Sequence, residues 1–134
     1  MREILFRGKT LTGTWAEGAY YKQEEFYGDS EDASIIITSK ETLDYEQALF
    51  FSVVIPETVG QCVGLTDKNG KKLFEGDIVE YKEEYGQVTY SESEAMFMVE
   101  FDTWCTDFDH LYGKELGVVG NIHDNPEFLI GGAE

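Results

Sequence analysis

Apolar residues along this chain come in short runs cut by glycines, acidic clusters and turn residues, and almost nothing reads as helix. Glu3–Lys9 opens as a strand halted by Gly8. Thr12–Tyr21 predicts a hairpin, with β-branched and aromatic residues on either side of a Glu17-Gly18 turn. Gln23–Asp32 is the most polar stretch and reads as an exposed loop, whereas Ser34–Thr38 is a strand on β-branched content. Glu41–Gln47 fits a helical turn and a loop equally well. Leu49–Ile55 is the longest apolar run, ended by Pro56, and predicts a strand buried on both faces. Pro56–Gly60 has the order of one helical turn, with proline first, an acid next and glycine last.

The strand signals sharpen beyond Gln61. Cys62–Thr66 and Leu73–Glu75 flank Asp67–Lys72, whose Asn69-Gly70 pair is a strong hairpin signal. The Asp-x-Asn start also suggests a calcium loop, but Gly70 stands fourth where such a loop needs glycine sixth, and lysines follow. Asp77–Tyr81, Gln87–Tyr90 and Met96–Phe101 predict three antiparallel strands, the first two separated at Gly86. Leu116–Ile122 closes the series, before Asp124-Asn125-Pro126 turns the chain or starts a helix. Several short strands with Gly and Asn turns argue a mainly β fold, a small barrel or roll.

Composition agrees. The chain has 134 residues, 42% hydrophobic and 14% aromatic, enough for one domain with a core of its own. No apolar stretch approaches the roughly 18 residues of a membrane-spanning helix, and no secretory apolar region follows Met1, so a cytoplasmic location is expected. Charge changes the picture more. Ten Lys and Arg against 27 Asp and Glu give −17, which argues against gripping a nucleic-acid backbone. Such acidity serves either as a solvated surface, as a face for a basic partner, or as an imitation of DNA phosphate. Cys62 and Cys105 form no Cys-x-x-Cys pair and are expected to be reduced, small buried hydrophobes.

Candidate chemistry is sparse. Neither His110 nor His123 adjoins a Ser or Cys in a recognisable nucleophile motif, and phosphate-cradling glycine loops and zinc helices are missing from the sequence. The best metal candidate is Asp107, Asp109 and His110; in an extended chain the two carboxylates point the same way and the imidazole the other. The competing reading is a polar loop anchored by Trp104 and Phe108. Trp15, Tyr20, Tyr21, Phe26 and Tyr27 cluster in the N-terminal part as core or as an interaction surface, and open-edged strands there predict a homo-oligomer.

Four segments resemble one family. Arg2–Lys9 is similar to the family's start, and Gly13-Thr14-Trp15-Ala16-Glu17-Gly18 to its Gly-x-Trp-x-x-Gly hairpin. Pro56–Val79, the most specific, and Val119–Leu129 supply the rest. In this order they resemble the YopX-like proteins of phages and prophages of Gram-positive bacteria, with residues 23–50 and 102–115 unmatched. Cys62 and His123 stand where the resemblance leads one to expect an aromatic residue. The resemblance implies a single YopX-like domain over residues 1–134. Its C-terminal part (about 56–130) is expected to be an SH3-like β-barrel, and its N-terminal part (about 1–55) a β extension. It implies no assigned activity. The expected structural motif is Gly60, Gly64, Asn69, Gly70, Gly76, Asp77, Gly120, Asn121 and Pro126: Gly76 makes a tight bend, Asp77 accepts backbone N–H groups there, and Gly120-Asn121 make a bulge or close approach.

The sequence thus predicts a non-catalytic, phage- or prophage-encoded protein without a cofactor, binding protein partners and copies of itself in the host cytoplasm. The alternatives are an acidic DNA mimic that inhibits a host nucleic-acid enzyme, and a metal-dependent site at Asp107, Asp109 and His110. The charge yields one prediction of its own. Raising salt to about 0.15 M shortens the screening length to ~8 Å and relieves carboxylate repulsion, so the melting temperature rises; calorimetry showing no rise contradicts it.

Overall fold

β-branched and aromatic runs form eleven strands, all paired antiparallel, in a computed structural model that describes residues 4–23, 33–43, 46–109 and 111–131. They are β1 (Phe6–Lys9), β2 (Trp15–Gln23), β3 (Ala33–Leu43), β4 (Glu46–Val53), β5 (Gly60–Thr66), β6 (Lys72–Phe74), β7 (Asp77–Tyr81), β8 (Glu84–Ser91), β9 (Met96–Glu100), β10 (Cys105–Asp107) and β11 (Gly117–Asn121). A short helix α1 (Glu127–Gly131) follows Pro126, and Pro56–Thr58 form the expected single turn, of 3-10 type. The chain divides into two compact units, Met1–Gln61 and Cys62–Glu134. The division falls within β5: Gly60 and Gln61 pair with β1, and Cys62 and Thr66 with β6.

In the first unit the strands run in the order β4-β3-β2-β1. The hairpin between β1 and β2 turns at Thr10–Thr14, around Gly13, and not at Glu17-Gly18. Gly18 lies inside β2, at the residue where that strand passes from pairing with β1 to pairing with β3. A Cβ there would run into the Ile37 carbonyl oxygen, so the glycine serves a close backbone approach. Residues 41–43 and 46–47 are strand, extending a long β3-β4 ladder into the region that sequence left undecided. Ile36, fully buried, packs with Ala16 and Val54, and Phe6, Tyr20 and Val59 close over them.

The second unit carries a sheet in the order β10-β9-β8-β7-β11. Of the expected barrel or roll, a closed barrel does not form, because the end strands β10 and β11 leave the sheet open. Leu73, Val79, Val88, Val99 and Leu116 are wholly buried and, with Val63, Phe101 and Leu111, make its core. Here too a predicted turn moves. Tyr81 pairs with Glu84, leaving Lys82 and Glu83 as a two-residue loop with φ of 47° and 69°. Gly86 lies within β8 under the Phe101 ring, and a Cβ there would come within 2.9 Å of it. A tight hairpin needs positive φ at both loop residues, so the local twist of the ladder outweighs the preference of Lys and Glu for negative φ.

One carboxylate fastens the start of this unit. Asp67, only 3% exposed, follows β5. Its Oδ1 accepts the N–H groups of Asn69 (2.9 Å) and Lys71 (2.8 Å), closing the Asn69-Gly70 turn. Its Oδ2 accepts Val118 N–H (3.0 Å) from β11. Burial alone raises the pKa of this carboxyl, but those three donors and the Lys71 charge outweigh it and hold it below its ordinary value. A depressed folded pKa contributes stability that is present above the unfolded carboxyl's value of about 3.9 and is lost as pH falls through the folded value. Asp67→Asn puts an amide donor against one of these N–H groups. It should cost about 1–3 kcal/mol near neutral pH, and the difference from wild type should shrink in acid. Thermal unfolding of both proteins against pH checks this; an equal, pH-independent deficit contradicts it.

Candidate functional site

Cross-strand register assembles an apolar surface in the first unit. Tyr21 pairs with Ile35, which pairs with Val53; Ala19 pairs with Ile37, which pairs with Phe51. Residues directly opposite each other share a sheet face, and alternate residues along a strand share it too, so these six lie on one face. The neighbouring row, Tyr20-Ile36-Ser52, turns the other way, with Ile36 in the core. The face is open to solvent: Tyr21 is 53%, Phe51 55% and Val53 48% exposed. β4, which carries Phe51 and Val53, is an end strand, and its Phe50 is exposed as well.

The aromatic residues singled out from sequence therefore separate. Tyr21 stands on the open face. Tyr20 turns inward, its hydroxyl hydrogen-bonded to Ser34 Oγ at 3.1 Å and its ring 5.6 Å from that of Phe6. Trp15 lies under the Arg7 guanidinium, 4.9 Å from ring centroid to Cζ. Phe26 and Tyr27 lie outside the described residues. Phe51 and Val53 were not expected here: the apolar run Leu49–Ile55 suggested burial on both faces, yet this face of β4 is open, as it is at Tyr21 of β2. Composition signals a strand but not which of its faces is covered. Cys105 is also exposed, contrary to the expected burial, while Cys62 is half-buried.

A groove marks the second unit. Two clefts of about 440 and 310 Å³ adjoin at Leu65 and Phe108, which line both. Leu65 reaches the groove because the β5-β6 ladder is irregular between Cys62 and Thr66, where Gly64 has a φ of 94°. Val63 is buried, while Leu65 is 42% exposed. Tyr112 and Lys114 border the larger cleft, and Met96, Phe97, Asp107 and Asp109 the smaller.

Asp107 and Asp109 thus come together at a rim, but not as in an extended chain. Asp109 N–H donates to Asp107 Oδ1 at 3.0 Å, bending the backbone just after β10. His110 lies outside the described residues, and among those described no three His, Cys, Asp or Glu side chains gather as metal ligands. The loop before them is anchored by Trp104, whose ring stacks on Phe101 at 4.4 Å and whose Nε1–H points to the Glu84 carboxylate at 3.4 Å.

The motif residues act on the backbone. Gly60 is buried opposite Arg7 of β1, and Asn69 and Gly70 form the Asp67 turn. Gly76 donates its N–H to the Val88 carbonyl, and its own carbonyl accepts Ile122 N–H, each at 2.9 Å. Buried Asp77 accepts Phe74 N–H on Oδ2 at 2.8 Å. β11 bulges between Val118 and Gly120; a Cβ on Gly120 would strike the Asn125 side-chain amide. Asn121 Oδ1 accepts the N–H groups of His123 and Asp124, leading the chain to Pro126 and α1.

Comparison with known proteins agrees with this frame. The chain matches the family described as YopX protein over residues 6–130, including the stretches that had shown no resemblance. It is similar to the crystal structure of protein EF1440 from Enterococcus faecalis, with a TM-score of 0.62 and 25% identity. That match covers 96% of this chain and 99% of the other. No curated protein matches the chain.

Proposed function

The chain belongs to the YopX family, and we propose that it is a non-catalytic binding protein, encoded by a phage or prophage and acting through protein–protein contacts in the cytoplasm of a bacterial host. Its first contact is with another copy of itself, through the open face of the β2-β3-β4 sheet. The observation that carries this reading is the uncovered pair of rows Tyr21-Ile35-Val53 and Ala19-Ile37-Phe51. Full burial of one such large apolar side chain contributes about 1.5–3 kcal/mol, so a face of this size offers several kcal/mol to an association that covers it.

Charge supports a partner of the same sequence. Two chains of −17 repel, and they approach at least cost where acids are sparse. The six residues of this face carry no charge. Residues 1–61 hold five Lys and Arg against eleven Asp and Glu, while residues 62–134 hold five against sixteen. A twofold arrangement uses one patch twice and needs no second surface.

Light scattering in about 0.15 M salt tests the reading. The wild type should show a multiple of the 15.2 kDa chain mass, and Phe51→Lys should shift it to a single chain. Because Phe51 is half-exposed in the chain, its replacement should leave the melting temperature of a dissociated chain nearly unchanged. A wild type at single-chain mass overturns the proposal.

A further inference from the structure

We infer that the groove shared by Leu65 and Phe108 binds an extended segment of another protein, one carrying an Arg or Lys beside an aliphatic or aromatic residue. This rests on reading the chain as a protein-binding molecule, but it involves other residues than the self-association face and stands or falls separately.

The floor of the groove is apolar and accessible. Leu65 is turned outward by the irregular stretch of β5, Phe108 lies half-buried, and Tyr112 is 65% exposed. An aliphatic or aromatic side chain laid on these residues leaves water, which is the main source of affinity at such a surface. The bounding strands β5, β9 and β10 favour an extended occupant, whose alternate side chains meet the floor.

The two ends differ in charge. The smaller cleft has Asp107 and Asp109 on its rim and no base among its described lining residues. The larger has Lys114 as the one charged residue among its described lining residues. A base in the occupant is therefore favoured at the Asp107-Asp109 end, and Lys114 disfavours one at the other, so charge sets the direction of the segment. The five bases against sixteen acids over residues 62–134 add a long-range attraction for a basic segment and repel an acidic one.

Panning a random-peptide phage library on the full-length protein in about 0.15 M salt supplies the probe, and the enriched peptides are then synthesised and titrated by fluorescence anisotropy. The enriched sequences should share a base beside an apolar residue. Tyr112→Ser and Asp109→Lys, both at exposed positions, should each weaken binding by about fivefold or more, with melting temperature and oligomer mass unchanged. Lowering the salt should strengthen binding to wild type more than to Asp109→Lys. No enrichment, an acidic consensus, or affinities indifferent to both substitutions overturns the inference. Indifference to both shows binding elsewhere and leaves the broader binding reading intact.

Discussion

A β-sheet has two faces, and water tolerates a broad apolar one only when something covers it. In the first unit one face of the β2-β3-β4 sheet meets Ala16, Val54 and the partly buried ring of Phe6, with Ile36 fully enclosed. The opposite face presents Tyr21, Phe51 and Val53 about half-exposed. This imbalance is the constraint from which the functional reading follows: the unit satisfies its own core and leaves a second apolar surface exposed in the single chain.

The second unit handles its polar groups differently. Buried Asp67 and Asp77 are spent on backbone N–H groups, which fixes loops and strand ends where side-chain packing alone would leave them loose. Close approaches do the same at Gly86 beneath Phe101 and at Gly120 against Asn125. With the backbone so constrained, the irregularity in β5 can hold Leu65 outward over the groove, and the Asp107-Asp109 turn can hold two carboxylates at its rim. A small acidic sheet can thus present an apolar floor of defined shape.

Strand content and order of the turns were largely legible, because β-branched runs and Asn-Gly or Gly-Asp pairs act locally. The Asn69-Gly70 hairpin, the bend at Gly76-Asp77 and the bulge before Gly120 all follow from residues adjacent in sequence. Gly18 and Gly86 misled for a common reason. Glycine marks either a turn or a close approach, and only the neighbour across the sheet, Ile37 in one case and Phe101 in the other, decides which. The apolar run Leu49–Ile55 misled because Phe51 and Val53 lie on a sheet face that is open while Val54 is buried, and local sequence does not say which face is covered. The groove was illegible because it joins β5, β9 and the 107–114 loop across long stretches of chain, whereas its acidic rim, Asp107 and Asp109, was visible as candidate residues from the start.

Hydroxyl-radical footprinting of the purified wild type tests most directly whether the open sheet face is covered in solution. In the single chain Tyr21 and Phe51 are 53% and 55% exposed, comparable with Tyr112 at 65%. If another copy covers the face, Tyr21 and Phe51 will be oxidised much more slowly than Tyr112. Oxidation at rates in keeping with their exposure in the single chain would contradict the account.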